Sequence, residues 1–306
     1  MNASTAPRAA AQPMSLAVWG QLLLLGLLWG GSFFFARIAV AEMPPLVLVF
    51  WRVLIAAVAL HVWLRARGVN IRPILDHAGG FLALALLNNV IPFSLIFAGQ
   101  TEIGAGLASV LNATTPFWTI IVANALTSDE KFSATKISGV LLGIAGTAVM
   151  IGPGLLAGLG GPVWAKLAIV GAAVSYAFAV VFAKRFRALP STLVATGQLT
   201  ASTLIMLPVM LVFYDYAEVF SGGRTTWLAV VALALASTAF AYFLYFSILA
   251  SAGATNASLV TLIVPATAIL LGALVLSERL ELFEIGGMAL IAAGLVTIDG
   301  RLFARR

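Results

Sequence analysis

The sequence predicts an all-α polytopic membrane protein of about ten transmembrane helices, built as two inverted five-helix repeats around a central cavity. Three observations carry this. Of the 306 residues, 62% are hydrophobic and only 9% charged, and the mean hydropathy is +1.08, whereas soluble domains carry roughly 25% charged residues. The apolar runs are long enough to cross a bilayer: Leu16–Ala36 holds no charge, and a spanning helix needs about 20 such residues. Strict two-residue alternation is missing from these runs, so helices rather than barrel strands must satisfy the backbone in lipid. Finally, the chain repeats itself. The segment from Gly104, GAGLASVLNATTPFWTIIVANALTSDEKFSATKISGVLLGIAG, is answered from Gly253 by GATNASLVTLIVPATAILLGALVLSERLELFEIGGMALIAAG.

Taken in order, the spans are expected at 16–40, 45–64, 76–99, 103–126, 134–152, 163–184, 192–213, 226–250, 253–276 and 282–300. The first is too long for the apolar core of a signal peptide and is followed by nine more, so it reads as retained. Proline precedes the second and seventh spans at Pro44 and Pro190. The acidic residues Glu42, Asp76, Glu102, Asp129, Asp215, Glu278 and Asp299 all fall at span ends. The resulting divisions are a disordered cytoplasmic N-terminus at 1–15, a first repeat at 16–152, a second at 163–300 and a basic cytoplasmic tail at 301–306.

Basic residues set the orientation. Arg8, the 65–72 loop, the 127–136 loop, the 184–187 loop and the tail hold 12 of the 17 Lys and Arg residues. Ten alternating spans place all of them on one side. By the positive-inside rule both termini are cytoplasmic, in a bacterial inner membrane. The +6 net charge is sorted by loop and not gathered on a soluble face, so nucleic acid is not an expected partner. With no cysteine in the chain, disulfides, thiolate metal sites and cysteine nucleophiles are excluded, and no cofactor or metal is expected. No GxSxG, HExxH or GxGD pattern is present, and the chain does not read as an enzyme.

An offset of 149 aligns Gly104, Ala108, Ser109, Pro116 and Ser128 with Gly253, Ala257, Ser258, Pro265 and Ser277. After a one-residue shift Glu130, Gly139 and Gly146 align with Glu278, Gly287 and Gly294. Earlier, Phe33–Arg37 aligns with Val180–Lys184, which puts Trp29 opposite Tyr176. Five spans per copy is an odd number, so the second copy enters from the other side and the repeat is inverted. Chemistry departs from symmetry where Arg52 faces Gln198 and Asn112 faces Thr261.

Trp29-Gly30-Gly31-Ser32-Phe33, Phe50-Trp51-Arg52 and the two Pro–Glu–Gly-rich segments resemble the EamA-type branch of the drug/metabolite transporter superfamily. The resemblance covers nearly the whole chain and is nearest to bacterial amino-acid and metabolite exporters, aromatic amino-acid exporters among them. It implies a ten-helix secondary transporter working by alternating access. It also marks Glu130 and Glu278 as the glutamates after the proline helix, with capping or pairing as their expected work.

Candidate site residues follow from polarity at membrane depth. Pro92, Pro116 and Pro265 each lack the N–H that would bond four residues back, freeing the carbonyls of Asn88, Asn112 and Thr261. Such breaks are tolerated beside cavities. Kinked spans three, four and nine are therefore expected around a pocket walled by Asn88, Asn89, Asn112, Thr115, Asn256 and Thr261. The bland reading makes these groups interhelical hydrogen bonds. Trp29, Trp118, Tyr176 and Tyr242 lie deep enough to join the pocket, while Trp19, Trp63, Trp164 and Trp227 read as interfacial anchors. Arg52 either reaches the interface, pairing with Glu42 or with backbone carbonyls, or meets a carboxylate on the substrate; the interfacial reading is preferred. The glycine runs 139–143–146 and 286–287–294 read as packing faces, against each other or a second protomer, giving a monomer or weak homodimer. With no carboxylate deep in a span, facilitated export of small amphipathic metabolites, most simply amino acids, is expected. The alternative is a proton-driven exporter of drugs, nucleosides or sugars.

Overall fold

The computed structural model describes residues 14–103, 105–127, 133–151, 162–267 and 282–299. These residues are helical and turn, with no strand among them. The helices are α1 (Leu16–Ala39), α2 (Pro45–Ala66), the short α3 (Arg72–Asp76), α4 (Ala78–Ala85), α5 (Ile91–Glu102), α6 (Ala105–Asn112), α7 (Thr115–Leu126) and α8 (Ala134–Ile151) in the first copy. In the second copy they are α9 (Val163–Phe182), α10 (Ser191–Phe213), the one-turn α11 (Tyr216–Val219), α12 (Arg224–Ala234), α13 (Ala241–Ser258), a helical stretch at 260–267, and α14 (Leu282–Asp299). Six helical stretches are long and apolar enough to cross a membrane. With the shorter ones they make ten passes in chain order, the ninth described as far as residue 267. Glu130, Glu278, residues 1–13 and the 301–306 tail lie outside the described residues.

Packing between the copies follows a pseudo-twofold scheme. Passes two and seven (α2, α10) pack on each other, as do five and ten (α8, α14). Pass three packs on six and pass eight on one; pass four packs on six and pass nine on one. Each of these contacts is its own mate or has one under exchange of the repeats, which is what inverted copies about one axis require. The α8–α14 seam shows the sense directly. A Cβ on Gly139 would lie 2.7 Å from the Gly294 carbonyl oxygen, and one on Gly146 would lie 2.7 Å from that of Gly287. Ascending residues of α8 thus meet descending residues of α14, so the two helices are antiparallel. The glycine faces pack on each other, as small residues allow where lipid supplies no hydrophobic drive. Gly286 is the exception, with open space beside it.

Breaks in the helices occur at paired places. Between α4 and α5 the backbone widens into a π turn at Leu86–Val90, and between α12 and α13 another spans Leu235–Phe240. Pro92 follows the first in the opening turn of α5, but no proline accompanies the second. Pass four breaks at Ala113–Thr114, with Pro116 in the first turn of α7. Pro265 lies buried within 260–267. The interior Pro208 of α10 is a further site without a ladder donor. Between passes eight and nine, Gly253 takes φ 85° and ψ 175°, a region essentially reserved for glycine.

The four expected aromatic anchors differ in exposure. Trp63 and Trp164 are exposed on the outer surface as interfacial anchors would be. Trp19 and Trp227 instead pack against the core. The Trp227 ring lies 5.1 Å from that of Trp51, whose Nε1 donates to the Val219 carbonyl at 2.8 Å. Trp227 thus joins an aromatic cluster with Trp51 and Phe220 beside the start of α12.

Candidate functional site

Between the two copies lies a cavity lined by residues of both. The first copy contributes Trp29, Ser32, Phe33 and Ala36 from α1, Arg52 from α2, Asn88 from the π turn, Phe93, Ile96, Phe97 and Gln100 from α5, and Asn112 and Thr115 from the break in pass four. The second contributes Tyr176 and Val180 from α9, Tyr242 and Tyr245 from α13, and Ala257, Ser258, Val260, Thr261 and Val264 from pass nine. Trp29 and Tyr176, partners under the repeat, stand in the same wall. Trp29 meets Tyr245 at 5.5 Å and Tyr242 edge-on at 6.3 Å, forming an aromatic corner.

Seven of the ten predicted residues line the cavity: Trp29, Asn88, Asn112, Thr115, Tyr176, Tyr242 and Thr261. Asn89, Trp118 and Asn256 do not. Asn89 is fully buried behind the wall, donating to Ser202 Oγ at 2.7 Å and facing the Tyr242 hydroxyl through its Oδ1. Asn256 turns its amide back one helical turn onto the Ala252 carbonyl at 3.0 Å. Trp118 stacks edge-on to Phe117 and has a buried Nε1 without a partner among the described residues.

Both π turns are tied across the repeat boundary by paired bonds. Ser175 Oγ donates to the Leu87 carbonyl at 2.7 Å, and Ser237 Oγ donates to the Leu28 carbonyl at 2.7 Å. On one side Arg52 Nε donates to Thr238 Oγ1 at 2.7 Å; on the other, Asn88 Nδ2 donates to Gln198 Oε1 at 3.0 Å. Arg52 and Gln198, already opposite each other in the repeat, thus each hold the π turn of the other copy. Two of the three freed carbonyls have side-chain partners, as membrane burial demands. The Tyr242 hydroxyl lies 3.2 Å from the Asn88 carbonyl oxygen, and Thr115 Oγ1 donates to that of Asn112 at 2.6 Å.

Arg52 bonds a backbone carbonyl, as expected, but does not pair with Glu42. It is 5% exposed, deep in the wall, with its guanidinium 3.8 Å over the Phe93 ring and Nη2 3.4 Å from the Ser237 carbonyl oxygen. Glu42 is occupied elsewhere: its Oε2 accepts from Gly223 N at 2.8 Å and from Thr226 Oγ1 at 2.6 Å, at the start of α12. These donors hold its carboxyl below its ordinary pKa. Phe93 offers the cation an aromatic face and Thr238 a neutral acceptor, and neither supplies a counter-charge. Gln100 was also missed. It is wholly buried in the wall, and neither side-chain atom has a partner among the described residues; only the absence of a nearby proline hid it.

The wall's hydroxyls share one habit. Ser32, Thr115, Ser258 and Thr261 each donate to the carbonyl three residues back, at 2.8, 2.6, 2.7 and 2.9 Å. Their hydrogens are spent on the helix, leaving lone pairs for the cavity. No Asp, Glu or His is among the lining residues.

A family model described as "EamA-like transporter family" matches residues 18–152 and again 163–298. The chain belongs to the EamA-like transporter family. Relatives include the "Uncharacterized transporter YoaV" of Bacillus subtilis, 26% identical over 93% of this chain and 97% of that one. Another is the "Uncharacterized inner membrane transporter YedA" of Escherichia coli K12, 29% identical over 94% and 93%. A solved crystal structure shares the EamA-like fold with a TM-score of 0.75, at 21% identity, over 97% of this chain and all of that one. With these relatives and the cavity between the copies, the chain is a membrane transporter.

Proposed function

We propose that this transporter exports small amphipathic metabolites, amino acids foremost, across the bacterial inner membrane by alternating access. The observation that carries the reading is the cavity itself. It is walled by both inverted copies, so rocking one copy against the other exchanges the face to which it opens. Its aromatic corner suits an apolar body, and Asn88, Asn112, Thr115 and Thr261 offer polar contacts beside it. Trp29, Tyr176 and Tyr242 take the apolar part; Asn89 braces the wall from behind. A wall without acidic or imidazole side chains supports a facilitator over a proton-driven exchanger. The sorted basic loops support cytoplasmic termini. The α8–α14 seam uses the glycine faces within one chain, which supports a monomer.

Counterflow in proteoliposomes tests the reading. Labelled phenylalanine is expected to enter saturably and faster when unlabelled phenylalanine fills the lumen. Uptake that is linear with concentration and indifferent to the lumen contradicts alternating access. Competition by purines or lipophilic cations, with none by amino acids, contradicts the substrate class.

A further inference from the structure

We infer that the cavity selects a molecule bearing one carboxylate on an apolar body, and that Arg52 is its anion-binding group. The inference deepens the transporter reading by naming the chemistry its cavity accepts, and rests on that reading only for the claim that the bound molecule is then moved.

Arg52 is a buried cation without a counter-charge. A guanidinium carries five N–H donors; in the protein Nε serves Thr238 and one Nη2 hydrogen serves the Ser237 carbonyl, both neutral acceptors. No acidic side chain among the described residues bonds it, and Glu42 is held at Gly223 and Thr226. A charge taken this deep into a membrane is costly unless something pairs it. Among the described residues, the cavity it lines is where a partner charge can reach it.

The remaining wall sharpens the choice. Because Ser32, Thr115, Ser258 and Thr261 spend their hydrogens on their own helices, an anion finds donors at Arg52, at the Gln100 amide nitrogen and at the Tyr176 and Tyr245 hydroxyls in the same wall. Both amide atoms of Gln100 are unpartnered among the described residues, and the Asn112 Oδ1, likewise unpartnered there, is an acceptor for a cationic group. Phe93, Phe97 and Gln100 recur along one face of α5, with the guanidinium over the first and 5.8 Å from the second. An anionic head at Arg52 therefore sits beside Phe93 and Phe97 rings for the apolar body. A single guanidinium balances one negative charge. A phosphomonoester brings roughly 1.5 to 2 and leaves the excess unpaired. The lone pairs and aromatic faces can also receive an ammonium group, so a zwitterion fits as well as a simple acid.

The test is a tryptophan-fluorescence titration of the protein in lipid nanodiscs with five matched probes: phenylalanine, 3-phenylpropionate, phenylalaninamide, phenethylamine and phenethyl phosphate. The two carboxylates are expected to bind at least about tenfold more tightly than the amide and the amine, the scale of one charge-assisted hydrogen bond. Arg52→Gln is expected to bring that ratio near one, and Arg52→Lys to keep part of it. Binding of the amide or amine within threefold of the carboxylates overturns the inference, as does a ratio that survives in a folded Arg52→Gln. Phenethyl phosphate binding as tightly as 3-phenylpropionate overturns the single-charge argument. Should neither variant fold, the wild-type ratio alone decides. Selective binding without saturable counterflow removes the transport reading and leaves this inference standing. Saturable counterflow with no carboxylate preference does the reverse.

Discussion

Amides at membrane depth divide into those with protein partners and those without, and the division sorts their work. Asn88 and Asn89 spend their donors on Gln198 and Ser202 and so lock pass three to pass seven. Asn112 keeps an unpartnered Oδ1 beside the cavity, while Asn256 satisfies itself on the Ala252 carbonyl. Asn112→Ala is therefore expected to lower kcat/KM for counterflow at least about tenfold, the scale of one lost buried hydrogen bond; Asn256→Ala should stay within about twofold of wild type. Equal loss in both variants would put Asn112 in the packing class. Glu42 has a different fate, as a latch on the start of α12. Its folded pKa is lowered below its ordinary 4.5 by Thr226 and Gly223. The stability it contributes is thus fully present above that value and lost as pH falls through the lowered pKa. Thermal melts at decreasing pH should show Glu42→Gln losing its deficit relative to wild type below about pH 4.5; a deficit constant to pH 3 sinks the latch. Polarity at depth was legible residue by residue. Whether an amide turned outward to the cavity or back to its own helix was not, because that depends on which neighbour arrives within reach.

Helix breaks are where local sequence and packing share control. Pro92 and Pro116 announce theirs, since a ring without an N–H cannot continue the ladder. The break at Leu235–Phe240 carries no such mark. It exists because Thr238 Oγ1 donates five residues back to the Leu233 carbonyl at 2.8 Å and Ser237 reaches the Leu28 carbonyl of α1, and π turns of this kind gather at functional sites. Glycine spacing was more readable, although one of the six run positions, Gly286, faces open space. This sets a paired prediction. Gly146→Ala places a methyl 2.7 Å from Gly287 O and Ile291 N, so the α8–α14 seam must open. It is expected to cost about 1–3 kcal/mol, as overpacking does. Gly286→Ala should be neutral or stabilise by up to about 1 kcal/mol. Tm values in the same detergent compare the two; a Gly146→Ala variant as stable as Gly286→Ala contradicts the seam.

At the scale of the whole molecule, two copies that contact each other through mated pairs can exchange roles, and that exchange is what alternating access needs. The absence of cysteine makes it measurable. Ala36→Cys and Val180→Cys lie in the cavity wall near the C-terminal ends of α1 and α9, passes that run in opposite directions in inverted copies. Saturating phenylalanine is expected to raise maleimide labelling at one and lower it at the other, because a substrate shifts the population between conformers. Changes of the same sign at both positions count against rocking. Span number, order and inversion were determined by the sequence alone. Twenty-residue apolar runs, an odd number of spans per copy and sorted basic loops act through the bilayer and require no knowledge of which helix touches which. Tertiary structure alone decided which polar groups face the cavity, where the second π turn falls and that Arg52 is sealed inside beside Phe93. Those outcomes depend on distant partners as well as local bonds, Leu28 for Ser237 and Phe93 for Arg52 among them, and no periodicity along one helix encodes which distant partner will be met.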